Sequence, residues 1–220
     1  MRRRIATQCN RRGGMQHTTP HWFESMSTPA FKGPQPKITR TKTMAIELGA
    51  KKPTASGGSS RCAIQKDGAD LEWKASVQTA MPWQPNSYDP DSNTLDFCFK
   101  PTPELVSFVS ELEAAVVAAV SKDPKAYFGE NLSPAAVQAL FQSNLRTSQQ
   151  GAEYFKAKAR CSNIAFWDKD GKPMNEPTVW GRDDKYLFVV RATAVWFGSK
   201  GWGIACDLKH LQVFANKCPF

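Results

Sequence analysis

The 220-residue sequence has no apolar run approaching the roughly eighteen residues a membrane-spanning helix needs. No hydrophobic segment follows the arginines at its start either, so the sequence points to a soluble protein outside the usual secretory route. Its six cysteines (Cys9, Cys62, Cys98, Cys161, Cys206 and Cys218) never stand as C-x-x-C, and His17, His21 and His210 are not spaced with them as zinc ligands. That pattern argues against a metal site and for free thiols in a reducing compartment. The strings G-x-x-x-x-G-K-[ST], G-x-S-x-G and H-E-x-x-H are all missing. Gly198, Gly201 and Gly203 have the wrong order of spacings for a dinucleotide loop. With three histidines and no pattern of paired carboxylates, acid–base catalysis would rest on His210, which reads more simply as a polar residue at a strand end. The expectation is a protein that is not an enzyme and that uses neither metal nor cofactor.

Acidic residues are scarce in one region only. Residues 1 to 58 carry eleven Lys or Arg against Glu24 and Glu47, whereas the rest of the chain carries eighteen basic and eighteen acidic residues. The net charge of +9 therefore sits in the leader, which can bind any polyanion by counterion release without distinguishing one from another. Specificity must come from the neutral remainder. Residues 1 to 60 lack apolar periodicity and end in a run of Lys, Pro, Ser and Gly, so they are expected to be disordered. Three explanations stay open for them: an organelle-targeting segment within residues 1 to 43, a nucleic-acid-binding arm, or upstream sequence preceding a start at Met26 or Met44. One domain over residues 61 to 216 follows, with residues 217 to 220 as a tip.

Within that domain Leu71 to Val77 and Leu95 to Lys100 alternate apolar and polar residues, as half-buried strands do. The loop between them carries Trp83 and Tyr88, read as packing residues. Thr102-Pro103-Glu104 is a helix start: a hydroxyl cap, proline at the first position and an acid at the positive end of the dipole. Leu105, Phe108, Val109, Leu112, Ala115, Val116 and Val120 then form a core-facing stripe. Ser133-Pro134 opens a second helix carrying Val137, Leu140 and Phe141. The outline is mainly β with inserted helices.

From Tyr154 to Phe214 the pattern predicts a curled antiparallel sheet. In YFKAKAR, alternation places Lys156, Lys158 and Arg160 on one face and Phe155, Ala157 and Ala159 on the other. Asp168-Lys169-Asp170-Gly171-Lys172 after Trp167 reads as a hairpin turn, since the later ligands of a calcium loop are absent. Val179 to Arg182 leads into YLFVVRATAVWF, a long β-branched and aromatic strand with Arg191 as its one charge. Trp196, Phe197 and Trp202 flank the turn containing Lys200. Rings in strands are more often core than platform, but Trp196 and Phe197 are neighbours on a strand, so one of the two must face outward. Flat rings beside Lys and Arg on a β-scaffold suit an unpaired nucleic-acid strand, whose bases stack while its phosphates meet the cations. The candidate binding residues are Lys156, Lys158, Arg160, Trp167, Arg182, Arg191, Trp196, Phe197, Lys200 and Trp202.

The order of these segments, above all AFWDKDGKPM and KYLFVVRATAVWFGSKGWGIACDLKHLQVF, resembles the single-stranded DNA-binding proteins of podovirus-type phages and related OB-fold proteins of large DNA viruses. The resemblance covers Leu71 to Phe214. It implies a five-stranded OB barrel with a helix between strands and sequence-nonspecific binding of single-stranded DNA. It also implies a role in replication and in annealing for recombination, inside the cell at sites of DNA synthesis. By position, Trp196 falls on the family's aromatic at the end of the long strand, and Lys156, Lys158 and Arg160 fall on its cationic strand. Two departures stand out. The family's acidic tail is not found, the last acid being Asp207, so recruitment of replication proteins would fall to Pro219-Phe220. The basic leader is also unlike the phage proteins. No membrane partner is implied, and a homodimer is left open. The alternative is an RNA-binding or protein-interaction OB module without a replication role.

Overall fold

A computed structural model of the chain describes residues 44–54, 57–87, 93–181 and 184–215. Cys9, Cys218, His17, His21, Tyr88, Arg182 and Pro219-Phe220 lie outside the described residues, as do residues 1–43. Residues 44–60, assigned to the leader by composition, contain two short strands, β1 (Glu47–Leu48) and β2 (Lys52–Pro53). Both pair with β3 (Ser60–Gln65). Met44, Ile46 and Leu48 pack on the main core, which is what makes this stretch part of the fold.

A tight turn with Asp67 and Gly68 at positive φ returns the chain from β3 into β4 (Leu71–Lys74). β5 (Thr94–Phe99) follows the proline-rich loop. Helix α1 (Pro103–Lys122) starts as its sequence signals: the Thr102 hydroxyl accepts from Leu105 N at 3.3 Å. Leu105, Val109, Leu112, Ala115, Val116 and Val120 are buried, and Phe108 stacks on Trp73 of β4 at 6.0 Å. Asp123 then caps a short second helix, α2 (Pro124–Phe128), which periodicity did not reveal. Ser133 caps α3 (Pro134–Ala139), but this helix stops before Leu140. Phe141, expected on that helix, instead begins β6 (Phe141–Gln142), ahead of β7 (Leu145–Thr147).

The cationic strand is β8 (Glu153–Arg160), and β9 (Ala165–Trp167) and β10 (Pro173–Met174) form the hairpin around Gly171. In that turn Asp168 Oδ1 accepts the amides of Asp170 and Lys172 at 2.9 and 2.8 Å. The two longest strands, β11 (Lys185–Gly198) and β12 (Gly201–Phe214), pair antiparallel along their whole length. His210 therefore lies within a strand and not at its end. β3 and β4 lie end to end along the free edge of β11.

The other edge of β12 departs from the antiparallel expectation: β6, β8 and β9 all meet it parallel, at short ladders. β5 then pairs antiparallel with β8, giving the order β1-β3-β11-β12-β8-β5. Register shifts at Val189/Val190 and Ala192/Ala194 bend the long hairpin and add twist. At the ends of this curved sheet, Lys100 N donates to Ala80 O at 2.8 Å and the Thr79 hydroxyl to Lys100 O at 2.6 Å. Among the described residues these bonds, and not a strand ladder, link the β5 end to the segment that continues β4. The inner face carries Phe97, Phe99, Phe155, Phe188 and Val190 together with the α1 stripe. No helix among the described residues is long and apolar enough to cross a membrane.

Candidate nucleic-acid interface

The outer face is set by β8, where alternation holds: Phe155, Ala157 and Ala159 are buried, and Lys156, Lys158 and Arg160 turn away from the core. These three cations line a groove of about 680 Å³ that crosses β8, β12 and the end of β11. Arg191 and Trp196 from β11 line it too, so five of the ten candidates converge in one place. Arg61 on β3, Arg146 on β7 and Lys209 on β12 complete a set of seven Lys and Arg side chains, against Asp207 as the single lining acid.

The cations are ordered by cross-strand neighbours. Glu72, Arg191, Asp207, Lys158 and Asp96 stand side by side across β4, β11, β12, β8 and β5, alternating in sign. Asp96 is nearly buried and holds Lys156 Nζ at 2.5 Å and Lys158 Nζ at 3.6 Å. Lys158 keeps 59% of its side chain exposed, while Lys156 keeps 16%. Arg191 is ion-paired with Asp70, just before β4. Burial pushes the Asp207 carboxyl above its ordinary range, an effect that nearby Arg191, Arg61 and Lys209 oppose.

The wall around Asn144 and Arg146 hangs on helix α1. Glu113 Oε1 accepts Asn144 N and the Ser143 hydroxyl, both at 2.9 Å, and Asn144 is tied to the backbone of Lys156. Burial raises the Glu113 carboxyl above its usual range in spite of these two donors.

Of the adjacent pair on β11, Trp196 is the outward residue. Phe197 is only 6% exposed and stacks on Trp202 at 5.8 Å, with planes 10° apart. Trp202 is fully buried, and its indole N–H donates to Val137 O at 2.8 Å. Both are among the candidate binding residues of the sequence; both are core, because α3, β6 and α2 cover that end of the hairpin. Phe141 packs edge-on against Trp202 at 4.8 Å, and Tyr127 stacks on Phe197 at 5.4 Å. Lys200 is exposed in the β11–β12 turn but does not line the groove. Trp167 lies elsewhere on the outer face, with its N–H donating to His210 Nδ1 at 3.3 Å.

Sequence reasoning missed Arg61, Lys209, Arg146 and Asn144. Arg61 was legible, since Arg61-Cys62-Ala63-Ile64-Gln65 alternates exposed and buried positions, with apolar Cys62 and Ile64 turned in. Lys209 was half-legible, because Leu208-Lys209-His210-Leu211 breaks strict alternation as a bulge does. Arg146 and Asn144 sit in a segment too short to carry a pattern.

The residues thus assemble a β-surface with a cationic trough and one outward indole. No family model matches the sequence, and no curated protein matches it. Among solved structures, phage single-stranded DNA-binding proteins match over most of the chain. One is the single-stranded DNA-binding protein from bacteriophage Enc34 in complex with ssDNA (TM-score 0.43, 8% identity, covering 79% of this chain and 98% of that one). Another is gp2.5, a single-stranded DNA-binding protein encoded by bacteriophage T7 (TM-score 0.43, 15% identity, covering 66% and 86%). At these identities no site residue is carried across.

Proposed function

We propose that this protein binds single-stranded DNA without sequence preference along the trough over β8, β12 and β11, as an OB-type module serving replication and recombination. The observation that supports this reading most is the convergence of seven cationic side chains around the outward ring of Trp196. Cations spread along a groove match a phosphate backbone, and one open indole face matches a base that has no partner. A duplex keeps its base faces inside the stack, so it meets the cations but not the ring. The folded domain supplies this site, with no need of the basic leader.

The test is a titration of the full chain and of a form beginning at Met44 with single-stranded DNA, duplex DNA and RNA of equal length at several salt concentrations. Both forms should bind single-stranded DNA best, with affinity falling steeply as salt rises. Loss of all binding with the leader would overturn the reading. Equal or tighter binding of RNA would favour the alternative of an RNA-binding module.

A further inference from the structure

The outer face of the long hairpin holds a second hollow, of about 540 Å³, at the end remote from Trp196. Its apolar floor is Leu187 and Val189 of β11, one wall is the half-buried indole of Trp167, and Glu72, Lys74 and His210 stand at its edge. Leu187, Val189, Arg191 and Trp196 all turn outward on one strand, so the trough and the hollow are two parts of a single track. Charge distinguishes them. The trough concentrates seven cations, whereas the hollow has one Lys balanced by one Glu. A phosphate gains little there, but a neutral planar heterocycle gains an aromatic wall and polar edges. The bond from Trp167 N–H to His210 Nδ1 fixes the ring and leaves His210 Nε2 as the nitrogen that carries a proton.

We infer that the hollow beside Trp167 takes a nucleobase of the same strand whose phosphates lie in the trough. This rests on the proposed single-strand binding and extends it to a second stacking point. Trp167 is in register with Gln212 and Gln212 with Leu187, nine residues before Trp196 on β11. At about 3.3 Å per residue the two indoles are separated by about 30 Å along the strand. Bases stacked at about 3.4 Å cover that span in about nine nucleotides. A thymidine trimer therefore reaches only one indole, and a 15-mer reaches both.

The experiment measures affinity of the full chain for oligothymidylates of three and fifteen nucleotides, with Trp167→Ala, Trp167→Phe and Trp196→Ala, and with thermal unfolding as the check on folding. Trp167→Ala should weaken 15-mer binding roughly tenfold and leave the trimer unchanged, and Trp167→Phe should recover most of the loss. Photo-cross-linking of a 15-mer bearing 5-iododeoxyuridine should mark the peptide containing Trp167. If Trp196→Ala weakens the 15-mer while Trp167→Ala does not and no cross-link forms at Trp167, the trough stands and the second stacking point is wrong. If neither oligonucleotide binds the natural protein, the proposed function itself fails. If Trp167→Ala weakens thymidine monophosphate but not the 15-mer, the hollow serves free nucleotide and the inference is overturned.

Discussion

Trp196 and Gly203 face each other across the β11–β12 ladder, and the indole lies where a side chain at position 203 would go. A Cβ placed on Gly203 would stand 3.1 Å from Trp196 Cζ2 and 2.7 Å from the backbone oxygen of Gln142. One placed on Gly198 would meet the opposite edge of the same ring at 3.7 Å. The ring therefore lies beside both glycines, in space that a side chain at position 203 would contest.

This seating makes two substitutions separable. Trp196→Ala should cost about 1–3 kcal/mol of single-strand affinity by loss of stacking, with little change in thermal stability. Gly203→Ala leaves the indole in place chemically but forces the ring and the β6 backbone to move, so it should reduce both affinity and melting temperature. Fluorescence titration beside thermal unfolding reads the difference. Unchanged affinity in Trp196→Ala would remove this ring as the platform.

Lys156 and Lys158 are two residues apart on one face, yet they should behave differently. Lys158 is largely exposed, so Lys158→Ala should lessen the slope of log affinity against log salt by about 0.7, the value for one phosphate contact on a single strand. Lys156 sits against nearly buried Asp96, and Lys156→Ala strands that carboxylate with the more distant Lys158. It should therefore cost about 3 kcal/mol of stability, the low end for breaking a buried pair. Salt titrations and denaturant unfolding separate the two effects.

Asp207 gives the trough a pH response. Its folded pKa is raised by burial, so between the ordinary aspartate range and that raised value the folded protein holds a proton the unfolded chain lacks. Stability therefore falls as pH rises through this window and is relieved below it. Affinity should change in the same direction, because protonation removes the one acid lining the trough. Asp207→Asn should bind more tightly at neutral pH and show a flatter profile on acidification at fixed ionic strength. A profile identical to that of the natural protein would exclude this carboxylate as the source.

Trp202 belongs to the core, and its removal should register in folding. Trp202→Ala should cost about 3–5 kcal/mol, since it empties a fully buried site and leaves Val137 O without its donor. Chemical denaturation at equilibrium measures this directly.

What the sequence disclosed and what it withheld divide along a physical line. The β8 face and the start of α1 were readable because alternation and capping are local. Trp196 was not decided locally. Counting by twos from buried Tyr186 along Phe188, Val190 and Ala192 would bury Trp196 and expose Phe197. The irregularity at Thr193 shifts the count by one, so that Val195 and Phe197 turn in and Trp196 turns out. Trp202 reads as a candidate binding residue because it flanks the turn that carries Lys200, but the glycines on either side of it admit the backbone of Leu140 and Gln142, which bring the cover from sixty residues earlier. Arg146 reaches the trough through the Glu113 anchor, a tertiary contact that no nearby residue announces.

The alternating row from Glu72 to Asp96 bears on how a strand would be let go. A phosphate arriving at Arg191 or Lys158 takes over a cation that already has a carboxylate beside it, so the exchange at those two positions releases little energy and is readily undone. A row compensated in this way would favour brief, renewable occupancy over permanent capture.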